Sequence, residues 1–128
     1  MPTLVHSQIM TMKKLLLIEE DTDIREMVAF TLENNGFEIV RADKDITSGD
    51  AIQINPHVII IGYSASNPGN KPCAELKAND LTNPIPVIVY SPNLEASKIG
   101  DKCADAVLAK PSELEDLVYL ANRLAYKN

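Results

Sequence analysis

The chain is predicted to fold as one α/β domain: a five-stranded parallel sheet in the order 2-1-3-4-5, with helices on both faces. Three observations carry this. Leu15-Leu16-Leu17-Ile18, Val58-Ile59-Ile60-Ile61 and Val87-Ile88-Val89-Tyr90 are continuous apolar runs, the mark of strands buried on both faces. Segments of helical period alternate with these runs. The connections are short, so consecutive strands run parallel through right-handed crossovers, which leaves few topologies. The order 2-1-3-4-5 suits five such units best.

The elements follow in turn. The first strand begins at Lys13 and runs through Ile18. Asp21 or Thr22 can cap the helix after it, because a short oxygen-bearing side chain accepts a hydrogen bond from an orphan N–H of the first turn. Ile24, Met27, Val28, Thr31 and Leu32 recur at helical spacing, and Gly36 suits the left-handed position past the helix end. Phe37 to Arg41 alternates, a shorter second strand. Residues 45–54 form a weaker helix interrupted by Gly49, which costs about 1 kcal/mol relative to alanine. Pro56 precedes the third strand, residues 62–72 read as a loop, and residues 73–78 as a short helix. Asn83-Pro84-Ile85-Pro86 leads into the fourth strand. Residues 94–102 are predicted as the fourth helix and Ala106–Ala109 as the fifth strand. Ser112 and Glu115 form a capping box for the fifth helix, whose apolar face is Leu114, Leu117, Val118, Ala121, Leu124 and Ala125.

The whole chain has 128 residues, enough for one sizeable core. Residues 1–12 carry no clear period and are expected to be a flexible extension to a domain spanning 13–127. The balance of 12 basic against 18 acidic side chains, a net charge of −6, argues against direct contact with nucleic acid or anionic lipid, which bind basic surfaces. No apolar run reaches the ~18–20 residues of a membrane span, and the N-terminus lacks the features of a secretory signal. A cytoplasmic protein is expected. In that compartment Cys73 and Cys103 are expected as reduced structural thiols, with nothing to supply the further ligands of a metal site. His6 and His57 are too far apart and too unsupported to suggest a metal or a base.

Ligands of such sheets sit at the carboxyl ends of the strands. There the sequence places Glu19-Glu20-Asp21 after the first strand, Gly62-Tyr63-Ser64 after the third, Ser91-Pro92 after the fourth and Lys110-Pro111 after the fifth. The segments KLLLIEEDTDIR (14–25), IPVIVYS (85–91) and ADAVLAKPSELEDLV (104–118) together resemble the receiver domain of two-component response regulators, over about residues 13–127. The resemblance implies a flavodoxin-like fold. It also implies a phosphoryl-transfer site: an acid pair holding Mg²⁺ (Glu19 and Glu20), an aspartate ending the third strand as acceptor, a hydroxyl that bonds the phosphoryl oxygens (Ser91), and a lysine that pairs with them (Lys110). The logic is chemical. An aspartyl phosphate needs a carboxylate nucleophile, a divalent cation and fixed donors. The bond before Pro111 is usually cis in the family, an isomer accessible mainly before proline.

This sequence departs from that pattern. The acceptor aspartate falls on Gly62, and HVIIIGYS contains no carboxylate. The aromatic switch position falls on Val107 or Leu108, which are aliphatic. The acid pair is Glu-Glu, with longer arms. The segment between Ser91 and Lys110 is shorter than the family's. Two glutamates without the third carboxylate make a poor site for Mg²⁺, which prefers one or two carboxylates plus substrate oxygens. Weak or absent Mg²⁺ is expected, and no other cofactor. Glu19, Glu20, Asp21 and Asp23 also suit a plain helix start, where the dipole favours acids. Lys110 is expected to neutralise this cluster. Tyr63 and Tyr90 are expected to pack or hydrogen-bond rather than react.

The expected function is that of a stand-alone, non-phosphorylatable receiver, not an enzyme, that binds a signalling protein or a second copy of itself. The resemblance implies the fourth helix–fifth strand–fifth helix face as the docking surface. Because the chain ends just after the last helix, no DNA-binding output domain is expected. Two alternatives stand beside this. One is phosphotransfer through an unusual hydroxyl, Ser64, Tyr63 or Ser91, although no activating base is evident. The other is a small ligand-binding protein on the same fold, although neither G-x-G-x-x-G nor a Walker loop is present.

Overall fold

A computed structural model describes residues 12–43, 46–62, 70–91, 103–109 and 114–126. Five strands form one sheet in the order β2-β1-β3-β4-β5, all adjacent pairs parallel. They are β1 (Lys13–Ile18), β2 (Phe37–Ala42), β3 (Val58–Gly62), β4 (Val87–Ser91) and β5 (Ala106–Ala109). Four helices are described: α1 (Thr22–Glu33), α2 (Ser48–Ile54), α3 (Asn70–Ala78) and α4 (Leu114–Ala125), the last being the expected fifth helix. The expected helix over 94–102 and the Ser112 cap lie outside the described residues, as does the 1–11 segment.

The apolar runs are continuous because the sheet is covered on both sides. Successive side chains along a strand point to opposite faces. One core therefore takes Leu15 and Leu17 of β1, Val58 and Ile60 of β3, and Ile88 and Tyr90 of β4. These pack under Val28 and Leu32 of α1 and Leu117 and Ala121 of α4. The other takes Leu16, Ile18, Ile59, Ile61, Val87 and Val89, covered by Ala51 of α2 and by Cys73 and Leu76 of α3.

Local chemistry explains the helix ends. Asp21 caps α1 by accepting from the Ile24 N–H at 3.0 Å, and Gly36 takes the left-handed φ of +93° expected past its end. Helix α2 starts at Ser48, not 45, because Thr47 and Asp50 form a reciprocal capping box, each side chain bonding the other's N–H at 3.1 Å. Asn55 ends it with φ 54°, a left-handed conformation that asparagine tolerates. Helix α3 starts three residues before the expected Cys73. Pro72 sits in its first turn, where a missing N–H costs nothing. Met27 is 53% exposed, so the buried stripe of α1 runs through Val28, Ala29 and Leu32 instead. The α4 stripe is buried or half-buried along its whole expected length.

The cysteines correct an expectation. Cys73 of α3 and Cys103, just before β5, are joined as a disulfide with a Cα–Cα distance of 6.1 Å. The pairing arises because α3 and the segment leading into β5 flank the same core, at a separation within the usual range for such bonds. Compartment rules cannot register that proximity, which exists only after the sheet has formed.

Candidate functional site at the strand ends

Strand β1 carries Glu19 immediately past its end, and the Glu19 N–H donates to the Ala42 carbonyl at 2.9 Å. Ile18 pairs in register with Ile61, which sets Glu19 beside Gly62. Gly62 in turn pairs with Tyr90 of β4. Three adjacent strands therefore bring Glu19, Gly62 and Tyr90 to one point at the carboxyl end of the sheet.

At that point the Tyr90 hydroxyl donates a short hydrogen bond to Glu19 Oε1. The other carboxylate oxygen, Oε2, accepts from the Asp21 N–H at 3.0 Å. The Glu19 carbonyl accepts from Arg25 Nη1 at 2.7 Å, so helix α1 fixes the residue from above. Glu19 and Tyr90 are each only 5% exposed. Burial pushes the Tyr90 phenol well above its ordinary range, and its hydrogen bond to Glu19 and the charges of Glu19 and Asp21 push the same way. The phenol stays protonated and acts as a donor.

Glycine at 62 permits this arrangement. A Cβ there would collide with Glu19 Oε1 and lie 2.7 Å from the Tyr90 hydroxyl oxygen and 2.8 Å from Tyr90 Cζ. The space in which a side chain at position 62 would begin is occupied by the Glu19–Tyr90 pair. This was not legible beforehand. The available signal was a large phenol one strand over from a glycine, with an acid one carbon longer than aspartate facing both.

The other expected site residues fall as follows. Glu20 is half-buried beside Glu19. Ser91 closes β4, its backbone in register with Ala109. Val107 sits in β5 opposite Val89, partly buried. Lys110, Pro111, Tyr63 and Ser64 lie outside the described residues. The donor set fits Mg²⁺ poorly: both Glu19 oxygens already accept hydrogen bonds, and Gly62 offers no oxygen from its side chain. Among the described residues no three metal-ligating side chains converge, and no helix is long and apolar enough to cross a membrane.

A separate open groove of about 800 Å³ lies toward β2, lined by Arg25, Glu26, Arg41, Asp43, Asp50 and Gln53 among others. Its arginines are already engaged. Arg41 meets Glu26 at 3.0 Å and Glu33 at 3.2 Å, contacts that raise its pKa, Glu33 most strongly.

No protein-family model matches the chain. It is 30% identical over 111 residues to the phosphate regulon transcriptional regulatory protein PhoB of Escherichia coli, covering 83% of this chain and 48% of that protein. The chain spans about half the length of the curated relatives it matches. Among solved structures, the signal receiver domain of a signal transduction histidine kinase from Syntrophus aciditrophicus superposes with a TM-score of 0.71 at 21% identity. That match covers 90% of this chain and 91% of the other. The chemotaxis response regulator CheY4 of Vibrio cholerae gives 0.69 at 22% identity, covering 89% and 99%. The sheet order and the end-to-end coverage of these structures show that the chain has the receiver-domain fold, and in sequence it is similar to about half of PhoB.

Proposed function

We propose that this chain is a receiver-type signalling domain that acts through protein–protein contact and does not pass through an aspartyl phosphate. The observation that supports it is the Glu19–Tyr90 pair seated where a side chain at position 62 would begin. An acceptor needs a carboxylate there, with room for a phosphoryl group and a cation beside it. Glu19, Glu20, Ser91 and Lys110 then persist as a vestigial set, and Mg²⁺ binds weakly or not at all. The Tyr90 hydroxyl makes a poor substitute nucleophile, because it is buried, protonated and committed as a donor.

The proposed docking face is built on β5 and α4. Its partner is a signalling protein or a second copy of the chain. PhoB is a transcriptional regulator, but a net charge of −6 disfavours direct contact of this domain with DNA. The test is partner affinity measured with and without acetyl phosphate and Mg²⁺. Equal Kd values under both conditions are expected. A partner that binds only after phosphodonor treatment contradicts the proposal.

A further inference from the structure

We infer that Cys73 and Cys103 form a reversible thiol–disulfide site, through which a small-molecule thiol couple sets how tightly the edge strand β5 is held. The two sulfurs join α3 to the segment leading into β5. A second, non-covalent link spans the same junction. Lys77, one helical turn beyond Cys73, reaches Asp105 Oδ2 at 3.0 Å, and its ammonium also donates to the carbonyls of Asn83 and Ile85 at 2.9 Å each. Asp105 in turn accepts from the Val87 N–H at 2.8 Å. These contacts do not depend on the sulfurs. They hold α3 and the β5 entrance together after reduction, so the thiols remain within bonding reach and the link can re-form.

The two sulfurs differ in access. Cys73 is 0% exposed, in the core cluster with Leu16, Ile59, Leu76 and Val89, whereas Cys103 is partly exposed. Attack is therefore directed to Cys103, since exchange rates depend on which sulfur an incoming thiolate can reach. A small thiolate attacks Cys103 Sγ, the S–S bond breaks, and Cys73 leaves as a thiolate that takes a proton. A second small thiolate attacks the small-molecule sulfur of the mixed disulfide and releases Cys103, which is protonated. Two electrons and two protons pass from two small thiols to the protein, and one small-molecule disulfide forms. Oxidation by such a disulfide, glutathione disulfide for example, runs the same steps backward.

The experiment titrates the full chain across glutathione to glutathione-disulfide ratios, followed by rapid alkylation and mass spectrometry. The expected result is one two-electron transition in which both cysteines change state together while circular dichroism stays that of the folded chain. Transient glutathione is expected on Cys103 and not on Cys73. The reduced form is expected to melt lower by about 10 °C and to exchange β5 amide hydrogens faster. Free thiols at every ratio would overturn the inference, as would a link that yields only after the chain has unfolded. A Cys73→Ala variant adds a check that needs no reversal: it should accumulate glutathione at Cys103 in the folded state, and a Cys103 that stays unmodified would count against the assigned route.

Discussion

The Tyr90 hydroxyl and the Glu19 carboxylate meet where a Cβ on Gly62 would have to sit. Strand glycine is ordinarily a weakness, and replacing it with alanine at an unstrained φ stabilises by about 0.4–1 kcal/mol through the unfolded state. Here the opposite is expected. Gly62→Ala should cost about 1–3 kcal/mol, the usual range for overpacking a filled core. In a Tyr90→Val background the cost should shrink, because Glu19 is then free to move aside and contacting residues couple. Urea unfolding of the four proteins measures this. A stabilising Gly62→Ala, or strict additivity, would mean that the pair does not fill the space.

Tyr90 also gives the chain a pH signature. Its folded-state pKa is raised above its unfolded value, mainly by burial. The associated stability is therefore fully present below about pH 10, the unfolded phenol's range, and is lost as pH climbs beyond it. The unfolded state releases a proton that the folded state keeps, so the slope is about −1.4 kcal/mol per pH unit from this group. Tyr90→Phe should lose about 1–3 kcal/mol near neutrality, by leaving Glu19 Oε1 without its buried donor. It should also show a shallower decline above pH 10. Stability curves of the two proteins from pH 7 to about 11 decide this, and parallel alkaline limbs would place the phenol in water.

Asp21 does two things at the same turn: its side chain caps α1 and its N–H holds Glu19 Oε2. Asp21→Ala removes the cap alone, since the backbone N–H remains. A loss of about 1 kcal/mol is expected, with Asp21→Asn retaining most of the stability. Chemical denaturation checks it, and equal losses from Ala and Asn would assign the effect to charge rather than to capping.

Much of the fold was legible because it rests on period and continuity. Three apolar runs too dense for a one-sided sheet required cover on both faces, and Leu15 and Leu16 do fall in opposite cores. A cap at Asp21 or Thr22 and the Gly36 turn were legible because each depends on its own residue's chemistry, and Asp21 takes the cap. The start of α2 was not, because Thr47 and Asp50 cap it reciprocally across the weak Gly49. Met27 shows the limit of helical spacing, which defines a stripe only to within one neighbouring row. The Cys73–Cys103 link and the Glu19–Gly62–Tyr90 contact share one cause of illegibility. Each joins residues far apart in sequence, and each depends on the register between strands or the path of a helix over them. The glycine at position 62 could be read, but not what fills the space beside it.

Whether an aspartyl-type phosphate can form is read by intact-protein mass spectrometry after incubation with acetyl phosphate and Mg²⁺. No acyl phosphate is expected: no mass gain of one phosphoryl group that hydroxylamine removes. A stoichiometric, hydroxylamine-labile gain, mapped to Glu19, Glu20 or another carboxylate at the strand ends, would contradict it.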